Sequence, residues 1–165
     1  DHNLKVDQVE RIEQFVPKTH FSVCNIAEPG TGLEVKFSMR HTAAMTLADV
    51  DTGNLHSYSD DIAKRPDLIQ LRDRVTIIDK PFNSRMQSEV VVHLKDKGAV
   101  HQFADAGVPE SNLDKQETKL IRKFNTLVIP IFGEDASQSI LDKCLKIETL
   151  ENVADLFDDV TLSGA

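Results

Sequence analysis

Glu89-Val90-Val91-Val92-His93-Leu94, followed by Lys95-Asp96-Lys97-Gly98 and then by Ala99 to Phe103, is the stretch that separates this chain from an all-helical protein. β-Branched residues crowd the first run, a short connection ending in glycine follows, and a second strand-like run closes the hairpin. A connection of this length suits a bulged or longer turn better than a two-residue one. Upstream, Val75-Thr76-Ile77-Ile78 reads as a further strand. Val9, Ile12, Phe15 and Val16 alternate imperfectly and predict a short helical turn running into a strand that Pro17 closes.

On either side the period is helical. Pro29-Gly30-Thr31-Gly32 breaks the chain, and Thr31-Gly32-Leu33-Glu34 has the form of a capping box. Leu33, Phe37, His41, Ala44 and Ala48 then recur at intervals of three and four, predicting one helix over about 32–49 that Asp51-Thr52-Gly53-Asn54 ends. Ser59 caps a short turn, and Pro66 suits the first turn of a helix carrying Leu68, Ile69 and Leu71. After the hairpin, Asp114-Lys115-Gln116-Glu117 repeats the capping-box pattern, and Leu120, Ile121, Phe124, Leu127 and Val128 form a stripe before Pro130. One or two closing helices follow through Ile140, Leu141, Cys144, Leu145, Leu150, Val153, Leu156 and Phe157. The pattern is α+β: a small antiparallel sheet with helices packed on one face, in a single domain over residues 1–165.

Composition narrows the function classes. The 165 residues carry 19 Lys+Arg against 27 Asp+Glu, a net charge of −8, with 5% aromatics, one Tyr and no Trp. Neither a basic stripe nor stacking platforms are present, so nucleic acid is not the expected partner. No apolar run approaches a membrane span, and the first residues are not a signal peptide. Cys24 and Cys144 stand far apart without a second thiol nearby, which fits structural thiols in a reducing, cytoplasmic setting.

Few residues could carry chemistry. Asp51-Thr52-Gly53 matches the tripeptide of aspartic proteases, but it occurs once, follows a helical pattern, and is also an ordinary turn. The histidines at 2, 20, 41, 56, 93 and 101 show no metal-ligand spacing, so no metal is expected; His93 and His101 flank the hairpin turn and could neighbour each other or simply face solvent. The helix start at Thr31 is more informative. It offers free N–H groups and the positive end of a dipole, and Lys36 and Arg40 add two cations, an arrangement that suits carboxylates or phosphates. The alternative is a solvated face whose cap Glu34 already fills. His41 lies on the apolar stripe, where burial would keep it neutral, either as a general base or as a satisfied core histidine.

The run Thr31-Gly32-Leu33-Glu34-Val35-Lys36-Phe37-Ser38-Met39-Arg40-His41 resembles a segment of the MmgE/PrpD family of 2-methylcitrate dehydratases, cis-aconitate decarboxylases and related lyases and epimerases. Arg65-Pro66-Asp67, Leu94-Lys95-Asp96, Gly107-Val108-Pro109-Glu110-Ser111-Asn112, Lys123-Phe124 and Ile147 to Val153 follow in the family's order. The resemblance covers nearly the whole chain but only the C-terminal, or lid, domain of a family member. It implies a preceding all-helical domain that this chain lacks and a homodimer. It further implies a metal-free, cofactor-free dehydration of a polycarboxylate such as the 2-methylcitrate of propionate catabolism.

By the same resemblance, Lys36 and His41 are catalytic, Thr31, Gly32, Lys36 and Ser38 contact substrate, and the isolated domain is inactive. Gly32 and Asp79 depart from the decarboxylase branch, which carries Lys and Tyr at or near those places. The competing expectation is a free-standing domain of the same fold that binds small anions or a partner without catalysis.

Overall fold

Val9, Ile12 and Val16 are buried on one face of strand β1 (Val9–Val16), and the rest of the sheet is arranged around that strand. In this computed structural model, which describes residues 4–96 and 98–158, β1 runs parallel to β2 (Val75–Asp79) and antiparallel to β3 (Gln87–Leu94). β4 (Ala99–Asp105) pairs antiparallel with β3, giving the order β2-β1-β3-β4. The sheet is therefore mixed, with one parallel pair among otherwise antiparallel neighbours. The helical segment between β1 and β2 supplies the long crossover that a parallel pair needs.

The stretch from Val9 to Val16, expected to begin as a helical turn, is strand throughout, and a 3-10 segment, Val6–Gln8, stands before it. The hairpin lies where the sequence places it; Leu94 N–H donates to Gly98 O at 2.8 Å, and the Asp96 carboxylate accepts from Gly98 N–H. Lys97, within that turn, and His2 lie outside the described residues.

The chain divides into two compact units, residues 1–109 and residues 110–165. In the first, α1 (Gly32–Val35), α2 (Met39–Leu47), α3 (Asp60–Ala63) and α4 (Pro66–Arg72) form the helical layer. Met39, Ala43 and Leu47 of α2 pack on the sheet face made by Ile12, Val16, Val75, Ile77 and Val92. On its other side, Met45 joins Val35, Ala63 and Leu68 in a second buried cluster. α2 is thus clamped between sheet and helices, while Leu33 and Phe37 of the expected stripe stay exposed.

The single helix expected over 32–49 is two. The chain turns extended at Ser38, whose hydroxyl accepts from His41 N–H and starts α2 afresh. Contacts from far outside the run hold that break. Ile26 N–H donates to Phe37 O, Met39 N–H donates to Cys24 O, and Asn25 bridges to Ser38.

In the second unit α5 (Leu113–Phe132) packs along α6 (Glu134–Cys144), and 3-10 turns follow at Ile147–Thr149 and Val153–Phe157. Asn112, rather than Asp114, caps α5 by accepting from Lys115 N–H. α5 also continues past Pro130, which falls in its last turn, and stops at Gly133 with φ 80°. A proline so near the end removes one ladder bond and leaves the rest of the helix intact, whereas a left-handed residue that glycine alone adopts freely ends it.

Candidate active site

The segment from Thr31 to His41 is built from two capped helix starts separated by one turn of chain. At the first, Thr31 Oγ1 accepts from Glu34 N–H at 3.3 Å, and Glu34 Oε2 reaches back to accept from Gly30 N–H at 2.7 Å and Thr31 N–H at 3.1 Å. This is the reciprocal box that the sequence spacing predicts.

Gly32 N–H donates to Asp60 Oδ1 at 2.8 Å, which ties α1 to the start of α3. The approach is so close that a Cβ on Gly32 would stand 2.0 Å from the Tyr58 carbonyl oxygen. Carboxylates of the chain itself, Glu34 and Asp60, therefore occupy the N–H groups of this helix start.

Lys36 follows at the exposed end of α1. Its ammonium lies 5.3 Å from the centroid of the Tyr58 ring, an arrangement in which the ring's negative face holds the cation without neutralising it. Tyr58 is itself anchored, its hydroxyl donating to Thr52 O at 2.8 Å, and burial together with the nearby Asp51 carboxylate raises its pKa. Arg40, the second expected cation, sits beyond the break on α2 and is partly buried, its Nε without a hydrogen-bond partner.

Ser38 is buried at the α2 cap, and His41 one turn later is wholly inaccessible, at 0% exposure. His41 Nε2 lies 3.3 Å from Ile62 O. A carbonyl only accepts, so this contact assigns the proton to Nε2 and leaves Nδ1 as a bare acceptor. Nδ1 is buried and has no partner. Burial lowers the His41 pKa, the Ile62 hydrogen bond opposes this, and the Arg72 and Arg65 guanidinium groups reinforce it. The result is a neutral imidazole with an unsatisfied lone pair, which can accept a proton or a hydrogen bond but is hard to charge in place.

Other candidates resolve into local structure. Asp51 accepts from Gly53 N–H at 2.9 Å, so Asp-Thr-Gly forms an ordinary Asx turn. His93 and His101 do not meet: His93 Nε2 bonds Glu13 Oε2 at 2.7 Å, and His101 Nδ1 stands 4.0 Å from Glu89. His20 Nε2 donates to Arg85 O. Among the described residues no group of three His, Cys, Asp or Glu could hold a metal ion, and no helix is long and apolar enough to cross a membrane. Cys24 and Cys144 are both free.

Three partners in the site escape sequence reasoning: Tyr58 beneath Lys36, Asp60 at Gly32, and the Ile62 carbonyl at His41. All lie in the 58–62 segment. Ser59 signals a helix cap there, but nothing local indicates that this cap faces Thr31 to His41.

A family model described as the MmgE/PrpD C-terminal domain matches residues 1–147, which takes in the sheet, both capped helix starts, α5 and α6. No curated protein matches the chain. With nearly the whole chain so matched, and with the Lys36 and His41 segment inside the match, the chain belongs to the MmgE/PrpD family as its C-terminal domain.

Proposed function

We propose that this domain forms one wall of the active site of an MmgE/PrpD-type lyase or isomerase, a dehydratase acting on a polycarboxylate such as 2-methylcitrate. The observation that carries the proposal is the pairing of an exposed ammonium held on an aromatic ring, Lys36 on Tyr58, with a neutral imidazole lacking one partner, His41, on the same short segment. Dehydration removes a proton beside a carboxylate and expels a hydroxyl group from the neighbouring carbon. A cation that clamps the carboxylate stabilises the charge that builds up there, and a neutral base or hydrogen-bond acceptor orients the reacting groups.

In this reading Lys36 is the clamp and His41, wholly inaccessible, a positioning group behind it. Ser38, buried at the α2 cap, serves the site by fixing His41 and does not itself face substrate. Thr31 and Gly32 reach substrate only where an incoming carboxylate displaces Glu34 or Asp60, so Lys36 is the principal contact of this domain. The remaining acid/base groups come from the helical domain of such an enzyme, and residues 1–165 by themselves are inactive.

The test uses an enzyme carrying this domain together with its helical partner, assayed for appearance of the conjugated dehydration product from 2-methylcitrate and related polycarboxylates. Lys36→Ala should lower kcat/KM by about a hundredfold or more. Unchanged kinetics would remove Lys36 from the site. Turnover by the 165-residue chain alone would overturn the division of catalytic groups between two domains.

A further inference from the structure

Between α2 and the sheet, the first unit holds a groove of about 720 Å³ to which neither Lys36 nor His41 contributes. Its floor is built from cross-strand rows on one sheet face: Ile12 pairs with Val92 and Val92 with Val100, and in the next row Gln14 pairs with Val90 and Val90 with Gln102. Its wall is the α2 face that carries Met39, Thr42, Ala43, Thr46 and Leu47. α2 covers the β1 end of these rows, so Ile12 and Val92 are buried, and it leaves Gln102 exposed at the β4 end. A concave, mostly apolar surface of this size, with few polar groups, is the usual form of a small-molecule site.

Two features say what the groove accepts. Among the described residues none of its lining is charged, although 28% of the chain is. A carboxylate or phosphate would give up water there without gaining a counter-ion, which favours a neutral occupant. The second feature is Gln14, on the floor. Its Oε1 is buried and has no hydrogen-bond partner, a state that costs free energy while the groove is empty. The polar groups around it are already engaged: Thr42 and Thr46 Oγ1 donate to the carbonyls of Ser38 and Thr42, the Tyr58 hydroxyl donates to Thr52 O, and Gln102 Nε2 donates to Phe103 O. The terminal torsion of a glutamine is broad, so this amide can turn its oxygen to the groove and present an acceptor beside an N–H donor.

We propose that the groove binds a neutral, mainly aliphatic molecule bearing a carboxamide, whose amide pairs with that of Gln14 and whose chain lies between Val90, Val92 and α2. A carboxamide sets a donor and an acceptor side by side, as the Gln14 amide does, so the two can meet through a pair of hydrogen bonds. A carboxylate of the same length offers acceptors alone and brings a charge into an uncharged groove. Along β3 the floor runs from Ser88 to Val92, about 13 Å at the rise of a strand, which accommodates a medium-length aliphatic chain. The site is separate from the one where Lys36 would meet a polycarboxylate, although Tyr58 borders both, with its ring under the Lys36 ammonium and its side chain at one end of the groove. Failure of either reading leaves the other standing.

Octanamide is the probe, titrated into the isotope-labelled 165-residue chain and followed by amide chemical shifts. Saturable shifts should appear at the Gln14 side-chain amide and at Val90, Val92 and Gln102, with a dissociation constant of about 1 mM or lower. Octanoate, equally long but charged, and N,N-dimethyloctanamide, which has no N–H, should each bind about tenfold more weakly. Gln14→Met keeps the length of the side chain and removes its amide. It should weaken octanamide about tenfold, leave N,N-dimethyloctanamide unchanged, and raise the urea midpoint of the empty chain because the unpaired oxygen is gone. Ala104→Phe, at an exposed position bordering the groove, should block octanamide while the far-ultraviolet circular dichroism stays that of the parent. No saturable shift up to the solubility limit, shifts confined to the exposed apolar residues of α5, or octanoate binding as tightly as octanamide overturns the proposal. So does a folded Gln14→Met chain that binds octanamide as the parent does. If that variant does not fold, the comparison of the three probes on the parent chain and the Ala104→Phe titration decide.

Discussion

His41 donates from Nε2 to the carbonyl oxygen of Ile62 across the gap between α2 and α3, and this contact fixes the tautomer of the imidazole while burial keeps it neutral. Because burial holds its pKa below the ordinary value, the folded protein binds this proton less readily than the unfolded chain. The unfolded state takes it up near pH 6.5. The His41 contribution to stability is therefore complete above about pH 6.5 and declines as the pH falls from there towards the folded-state pKa. Urea unfolding between pH 5 and pH 7.5 should give a steeper loss of stability for the parent chain than for His41→Asn. Parallel curves would show that His41 titrates alike in both states.

Gly32 and Tyr58 are in closer contact than any side chain would permit. Gly32→Ala forces its new methyl group onto backbone at 2.0 Å, so the 58–59 segment must move and the Asp60 contact with it. The expected cost is about 2–3 kcal/mol, in the range of overpacked cores. Gly30→Ala is the control, since its Cβ would meet only the flexible end of Glu34 at 3.5 Å. Comparable destabilisation by both substitutions in urea titrations would refute the steric account.

Ser38→Ala removes the hydroxyl that starts α2. Loss of such a cap costs about 1–2 kcal/mol, and the buried His41 N–H is left without its acceptor. Ser38→Thr or Ser38→Asp keeps an acceptor and should recover part of the loss, the Asp less because the site is buried. Equal stability of the alanine and threonine variants would show that the cap contributes nothing.

Much of this architecture is written locally. The capping box at Thr31 and Glu34, the proline at the start of α4, the Ser59 cap and the hairpin all lie where nearest-neighbour chemistry puts them. What short-range reading misses is imposed from a distance. Lys36-Phe37-Ser38 could continue a helix, and it breaks because Cys24 and Ile26 claim its backbone groups. β1 reads as a helical turn running into a strand, yet it is the strand beside which both β2 and β3 form, because its partners arrive some sixty and eighty residues later. Glu13 and His93 are likewise 80 positions apart, and only the β1–β3 register brings them together. The site divides along the same line. Lys36 and His41 are legible from their segment, whereas Tyr58, Asp60 and Ile62, which determine how each is held, become visible only when α3 packs against α1 and α2.

The central place of β1 also bears on how the chain is made. During synthesis Val9–Val16 leaves the ribosome first among the strands, and both of its edges stay empty until Val75–Asp79 and Gln87–Leu94 have followed. Strand pairing over such a separation is slow, and an apolar strand waiting for its neighbours is prone to aggregate. A nascent chain paused between α2 and β3 therefore holds a helical layer with no finished sheet to cover, and a chaperone that shields Val9, Ile12 and Val16 during that interval would raise the yield of folded protein without altering the stability of the finished domain.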